Sequence, residues 1–262
     1  METSKLKKFA QYARRNLIDE VTKKLQRVLS QESTARRENP RAVTELEKLI
    51  TNSSEEQVIE KIAYIWFNRF CALRFMDVNR FTRIGVLSPV AGQFQPEILA
   101  EAKMGHIDED SMPEKTRLHI EALLNGTTPS DDPQTEAYRL LIVATCNQYH
   151  RAMPYLFERI ADYTELLMPD DLLSGNSILA YTREAMTPNV CIEQVDGKDK
   201  PIVEVIGWLY QFYISEKKDA VFDGLKKNKK ITAENISAAT QLFTPHYIVR
   251  YLVENSVGRL WM

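Results

Sequence analysis

From Ser4 to Leu29, apolar residues fall at Leu6, Phe9, Ala13, Leu17, Val21, Leu25 and Val28. These steps of three and four trace one stripe of an amphipathic helix. Asn39-Pro40 interrupts the pattern, because proline disfavours a helical residue before it, and a second helical piece is predicted over Ala42 to Ile50. Asn52-Ser53-Ser54 supplies a start signal, with Ser53 and Glu56 at capping-box spacing, for a long helix running to about Asp77. That helix carries Val58, Ile62, Ile65, Trp66, Phe70, Leu73 and Met76, and with Phe67 and Phe75 it is apolar nearly all round, as expected of a central core element.

Residues 78–96 hold Gly85, Pro89, Gly92 and Pro96, which predicts an ordered loop with a short strand near Ile84 to Leu87. Pro96 opens a short helix to Lys103. Helices are predicted from Glu114 to Asn125 and from Thr135 to Asn147, and Pro154 kinks or restarts the latter around Tyr155 to Thr164. After a linker at Pro169 to Ser174, Asp196-Gly197 between apolar runs predicts a small hairpin within Val190 to Val205, and Ile206 to Phe222 returns to helix. Thr244 suits an N-cap and Pro245 the first helical position, so a helix to about Asn255 is expected, its amino end favourable to an anion.

Composition sharpens this picture. Only nine of 262 residues are glycine, roughly half the usual frequency, which supports a mainly α fold. Cys71, Cys146 and Cys191 form no Cys-x-x-Cys pair, an argument against a disulfide framework or a zinc site and for a reducing compartment. No segment approaches the roughly 20 apolar residues of a membrane helix, and no secretory signal opens the chain, so a cytoplasmic protein without membrane contact is expected.

The net charge of -2 hides a segregation. Residues 1–90 hold 17 basic and 11 acidic groups, residues 91–214 hold 9 and 20, and residues 215–262 hold 8 and 5. Two basic ends thus flank an acidic middle, and each basic end is a candidate face for phosphate backbones. In the first, Lys7, Lys8, Arg14, Arg15, Lys23, Lys24 and Arg27 share one helix; in the second, Lys226, Lys227, Lys229 and Lys230 form the densest basic run, expected in a loop that reaches DNA phosphates.

Catalytic signatures are missing. There is no Gly-x-Gly-x-x-Gly, Walker loop or Gly-x-Ser-x-Gly, and His106, His119, His150 and His246 lack the spacing of a helical zinc site. Acidic pairs at Asp131-Asp132 and Asp170-Asp171 sit in turn-like contexts that suit helix caps. No metal site and no catalytic residue is expected in this chain.

A resemblance adds what spacing alone does not show. The Phe243-Thr244-Pro245 segment looks like the motif preceding the catalytic domain of amino-group DNA methyltransferases. Ala63 to Phe70, Leu73 to Met76, Leu87-Ser88-Pro89, Gln95 to Ala100, Leu166 to Asp170 and Ile206 to Lys218 resemble the helical amino-terminal region of the PglX-type enzymes, the adenine-specific DNA methyltransferases of BREX phage-defence systems.

The resemblance implies methylation of adenine N6 in double-stranded DNA with S-adenosyl-L-methionine, and cofactor contacts at Gln241, Phe243, Thr244 and Pro245. It divides the chain into a helical domain at 1-236 and, at 237-262, the start of a Rossmann-like methyltransferase domain. The family's glycine-rich cofactor motif and its Asn-Pro-Pro-Tyr motif are missing, so the chain looks truncated. On its own it is expected to be inactive and to bind the cofactor weakly or not at all. The full-length protein would also meet other BREX subunits or a phage DNA-mimic inhibitor. The competing expectation is a non-enzymatic helical adaptor or decoy that binds DNA or defence-complex subunits.

Overall fold

A computed structural model describes residues 3–108, 112–158, 160, 162–232, 235–240, 244 and 246–261. Its secondary structure is mainly helical, with one two-stranded sheet among the described residues. The first element, α1 (Thr3–Leu29), buries Leu6, Phe9, Ala10, Ala13, Leu17, Val21, Leu25 and Val28, the stripe read from the sequence. After the short α2 (Thr34–Glu38) and α3 (Pro40–Asn52) comes α4 (Glu55–Val78). Its cap lies one residue beyond the expected one: Ser53 ends α3, while Ser54 takes extended backbone and its side chain accepts from the Gln57 N–H at 3.2 Å. The spacing rule held with Ser54 and Gln57 because Ser53 was already committed to closing the preceding helix.

Helix α4 is the central element. Ile62, Trp66, Phe67, Phe70 and Leu73 are essentially inaccessible, and each such side chain contributes about 1.5–3 kcal/mol by leaving water. Trp66 stacks on Phe70 at 5.5 Å and donates its Nε1–H to the Thr164 carbonyl at 3.2 Å. Arg69 lies 5.1 Å over the Trp66 ring, 2% exposed, and donates from Nη2 to the Glu158 carbonyl at 2.7 Å. Its Nε and Nη1 find no hydrogen-bond partner among the described residues, and burial lowers its pKa.

No strand forms at Ile84 to Leu87. Instead the amides of this stretch close on Asp77, at the end of α4. Oδ1 accepts from the Val86 N–H and the Thr82 hydroxyl, both at 3.0 Å, and Oδ2 from the Leu87 N–H at 2.8 Å, the Ser88 N–H at 2.9 Å and the Ser88 hydroxyl at 2.8 Å. A carboxylate has satisfied donors that a strand neighbour would otherwise serve. Burial pushes the Asp77 carboxyl up, opposed by these hydrogen bonds.

Gly85 completes the turn. Its N–H donates to Glu97 Oε2 at 2.7 Å, and a Cβ there would stand 2.7 Å from the Ser88 carbonyl oxygen, so a side chain cannot be accommodated. A bridge between Pro89 and Pro96 closes the loop ahead of α5 (Glu97–Lys103).

Helix α6 (Glu114–Leu124) packs on α7 (Pro133–Tyr149), which starts two residues earlier than expected because Asp132 caps it, accepting from the Thr135 N–H at 3.1 Å. Of the helix expected at Tyr155 to Thr164, the described residues show only α8 (Asp162–Leu166), with turns running through Phe157. Two short helices not expected from the sequence follow, α9 (Ile178–Ala185), capped by Ser177, and α10 (Pro188–Cys191). The expected hairpin is present as antiparallel β1 (Ile192–Val195) and β2 (Lys198–Pro201), with Asp196 and Gly197 both at positive φ, as a two-residue type I′ turn requires.

The predicted helix over Ile206 to Phe222 is two helices, α11 (Glu204–Tyr213) and α12 (Ser215–Lys226), broken at Ile214. Helix α11 packs on α1 and α4 through Val205, Leu209 and Tyr213, and the Tyr213 ring lies 4.4 Å from Phe67 and 5.6 Å from Tyr64. Helix α12 buries no residue, which is why no continuous apolar stripe joins the two. Beyond it lie α13 (Ile236–Thr240), α14 (His246–Asn255) and α15 (Val257–Trp261). The Rossmann-like continuation expected from 237 onward gains no support from these helices. All three cysteines are free and buried, and no helix of the described residues is long and apolar enough to cross a membrane.

Candidate nucleic-acid interface and cofactor segment

The lysine run lies in a loop from Lys227 onward, as expected, but the loop is closed onto the end of α12. Lys226 is the last residue of α12 and Lys227 its C-cap. Asn228 follows with φ +58°, the Asn228 N–H donates to the Leu225 carbonyl at 2.9 Å, and the Lys229 N–H to the Gly224 carbonyl at 3.0 Å. These two bonds with a left-handed residue between them make a Schellman cap. No glycine marks this cap; asparagine, tolerant of the left-handed region, takes its place.

The cap fixes where the charges lie. Lys226 pairs with Asp223 at 3.0 Å, while Lys227, Lys229 and Lys230 make no ion pair among the described residues. Lys229 and Lys230, with Lys217, border a cavity of about 300 Å³ floored by Ala220, Val221 and Ile231. The negative end of the α12 dipole faces the same lysines and offsets part of their field. What remains is a small cationic rim over apolar stems.

The other basic end is largely neutralised. On α1, Arg14 pairs with Glu60 at 2.6 Å, and Lys217 pairs with the other oxygen of that carboxylate. Arg15 reaches Glu216 at 3.4 Å and Lys23 reaches Asp19 at 2.6 Å. Lys24 and Arg27 both bind Asp170, which Arg139 joins at 3.3 Å. Among the described residues only Lys7 and Lys8 of the seven helix cations lack an ion-pair partner, and both are exposed. The charge segregation along the chain therefore does not survive folding as a separation in space, since Asp170 belongs to the acidic middle.

Partial burial would raise the Asp170 carboxyl, but hydrogen bonds and charges from Lys24 and Arg27 overcome this and hold it at about 2. Lys24 also shifts down, because it is buried and faces Arg139, and this does not contradict the gain at Asp170, on which three cations converge. A carboxylate depressed from the ordinary value of about 3.9 contributes stability that is complete above pH 4 and lost as pH falls through 2. Because the side chain is 38% exposed, solvent screening reduces that contribution to about 1 kcal/mol. Asp170→Asn is expected to be less stable than the parent by that amount at pH 6, with the difference vanishing near pH 2, as read from urea midpoints at the two pH values.

Nor does the groove beside α1 invite phosphate. A groove of about 930 Å³ between α1–α2 and α7 is lined by Glu32, Glu38, Asp131, Asp132 and Glu136, and its cations, Lys24, Arg27 and Arg139, are those already committed to Asp170.

Of the cofactor candidates, Gln241, Phe243 and Pro245 lie outside the described residues. Thr244 is exposed, two residues before α14. One exposed hydroxyl is not a binding cavity. On α14 and α15, Val249 and Leu252 are exposed, together with Tyr247, Tyr251, Val257, Leu260 and Trp261, while Ile248 is half-buried. Among the described residues no group of three or more histidine, cysteine or acidic side chains is placed to hold a metal ion.

Sequence comparison adds what this geometry lacks. The chain is 41% identical over 222 residues to the adenine-specific methyltransferase BrxX of Escherichia coli O9:H4 (strain HS), a match covering 82% of this chain and 17% of that protein. It is 38% identical over 209 residues to the adenine-specific methyltransferase PglX of Lacticaseibacillus casei (strain Zhang), covering 78% of this chain and 16% of that protein. The chain is homologous to part of the PglX-type methyltransferases. It spans less than a fifth of the length of these curated relatives. No protein-family model matches it.

Three structural hubs are not anticipated from the sequence: Glu60 between Arg14 and Lys217, Asp77 on its amides, and Asp170 under three cations. The partners of Glu60 and two of the three cations on Asp170 lie 46 to 157 residues away, beyond the reach of any local pattern, whereas those of Asp77 follow it by 5 to 11 residues.

Proposed function

We propose that this chain is part of an S-adenosyl-L-methionine-dependent DNA methyltransferase of a BREX phage-defence system, acting at adenine N6 in double-stranded DNA. The observation that carries this reading is identity of 38% and 41% to two adenine-specific methyltransferases across about four fifths of the chain. In the whole enzyme, residues 1-236 form the helical domain and 237-262 open the methyltransferase domain. Gln241, Phe243, Thr244 and Pro245 would line the start of the cofactor pocket. Exposed apolar side chains on α14 and α15 support a surface that packs against more protein.

The helical domain contributes DNA or partner binding in this reading. Lys227, Lys229 and Lys230 supply the unpaired charge, with Lys226 weakened by Asp223. Replacing Lys226, Lys227, Lys229 and Lys230 together by glutamine is expected to flatten the dependence of log K on log salt by about 2–3, given roughly 0.9 per neutralised phosphate. The measurement is fluorescence anisotropy on a duplex between 50 and 300 mM salt; an unchanged slope would reject the lysine cap as a phosphate contact.

A further inference from the structure

The loop between α4 and α5 shows solvent a different set of side chains from the one its sequence suggests. Between Asp77 and Glu97 the charged residues are Asp77, Arg80, Arg83 and Glu97. Both carboxylates point inward: Asp77 takes five hydrogen bonds, and Glu97 Oε2 accepts from the Gly85 N–H at 2.7 Å. Both arginines point outward. Arg80, at φ +57°, is exposed with no side-chain partner among the described residues, and Arg83 meets only Asp108, at 3.8 Å.

Apolar residues accompany them. Phe81 and Val90 are exposed, and Phe94 stands 95% in solvent at the tip of a loop closed by the Pro89–Pro96 bridge. Ile84 to Pro96 contains no charged residue in a protein that is 27% charged.

The loop is also held firmly at its base. Arg74 donates to the Ser88 hydroxyl at 2.6 Å and to the Met186 carbonyl at 3.0 Å, Arg183 donates to the Leu87 carbonyl at 3.3 Å, and the Glu97 N–H reaches the Ser88 carbonyl at 3.0 Å. An aromatic ring presented on a fixed base loses little entropy when it is covered.

We propose that this loop is a second DNA-contacting element, with Phe94 packing against bases and Arg80 and Arg83 holding the flanking phosphates. The proposal rests on the DNA-binding reading above. A neutral aromatic tip flanked by cations fits nucleic acid, where apolar side chains wedge against base steps and arginines bind phosphate. A purely apolar knob for a protein pocket would not need outward arginines with the local carboxylates withdrawn.

The test uses the 262-residue chain and a duplex carrying 2-aminopurine, titrated at several salt concentrations. Phe94→Ala, a change at an almost fully exposed position, is expected to weaken binding roughly tenfold or more, to abolish the 2-aminopurine change, and to leave the salt slope as it was, because no charge is removed. Arg80→Gln with Arg83→Gln is expected to lower the slope by about 1.8, with the circular dichroism spectrum unchanged.

If both variants bind as the parent does while the four-lysine variant loses slope, the loop proposal fails and the DNA reading stands; the tip would then belong to a protein partner. If the loop variants lose binding while the four-lysine variant does not, the loop proposal stands and the lysine cap is removed from the site. Absence of duplex binding by the parent chain would sink both.

Discussion

Asp77→Ala is expected to destabilise the protein by at least about 3 kcal/mol, because the acceptor for three amides and two hydroxyls disappears from a site that water does not easily reach. Val86 and Leu87 are buried, so their freed N–H groups have no ready substitute. An unsatisfied buried donor costs roughly 1–3 kcal/mol, and partial relaxation recovers some of the sum. Asp77→Asn keeps the shape but turns a donor toward donors, so an intermediate loss is expected. Urea denaturation with an unchanged m-value is the measurement. A loss below about 1 kcal/mol for the alanine variant would mean that the 82–88 turn is held by its neighbours and not by this carboxylate.

Trp66→Ala is expected to cost about 3–5 kcal/mol. The ring is fully enclosed in the middle of α4, it stacks with Phe70, and its N–H serves the Thr164 carbonyl. Truncation opens a void and also removes the face over which Arg69 lies, leaving a buried guanidinium with a single hydrogen bond. Trp66→Phe fills most of the space and loses the hydrogen bond, so about 1–2 kcal/mol is expected. Thermal unfolding followed at 222 nm distinguishes the two; equal losses would show that the hydrogen bond, and not the volume, dominates.

The parts of the fold legible in the sequence are those where one face is buried along a continuous stretch. The stripe of α1 and the all-round apolar α4 are of this kind, and Asp196-Gly197 named its own turn because both positions require positive φ. What stayed hidden depends on distant partners. Ile84 to Leu87 has the composition of a strand, yet its Val86 and Leu87 amides are satisfied by a carboxylate 9 and 10 residues back and its Gly85 amide by Glu97. The break at Ile214 passed unseen because Trp208, Phe212 and Phe222 suggest one apolar run, although Phe222 ends up exposed.

The candidate site was legible unevenly. The lysine run was visible as charge, but its place at the end of a helix rested on Asn228, whose left-handed conformation no neighbouring residue announces. The basic character of α1 overstated its field, since Glu60 and Asp170 are remote in sequence and adjacent in space. The relation to PglX-type enzymes came from ordered stretches of similar residues, which the identities of 38% and 41% bear out, and not from any geometry that composition or periodicity could supply.

Helix α12 contributes no buried side chain, and its amino end is tied to the body by polar links such as Gln11 to Ser215 at 3.1 Å, Arg15 to Glu216 and Lys217 to Glu60. Substitutions along its outer face therefore escape the packing constraints that govern α1 and α4. Selection can adjust the number and sign of charges between 218 and 230 almost independently of foldability. A lineage could thus retune this surface to a new partner, or to evade an inhibitor, while the core that carries it stays fixed.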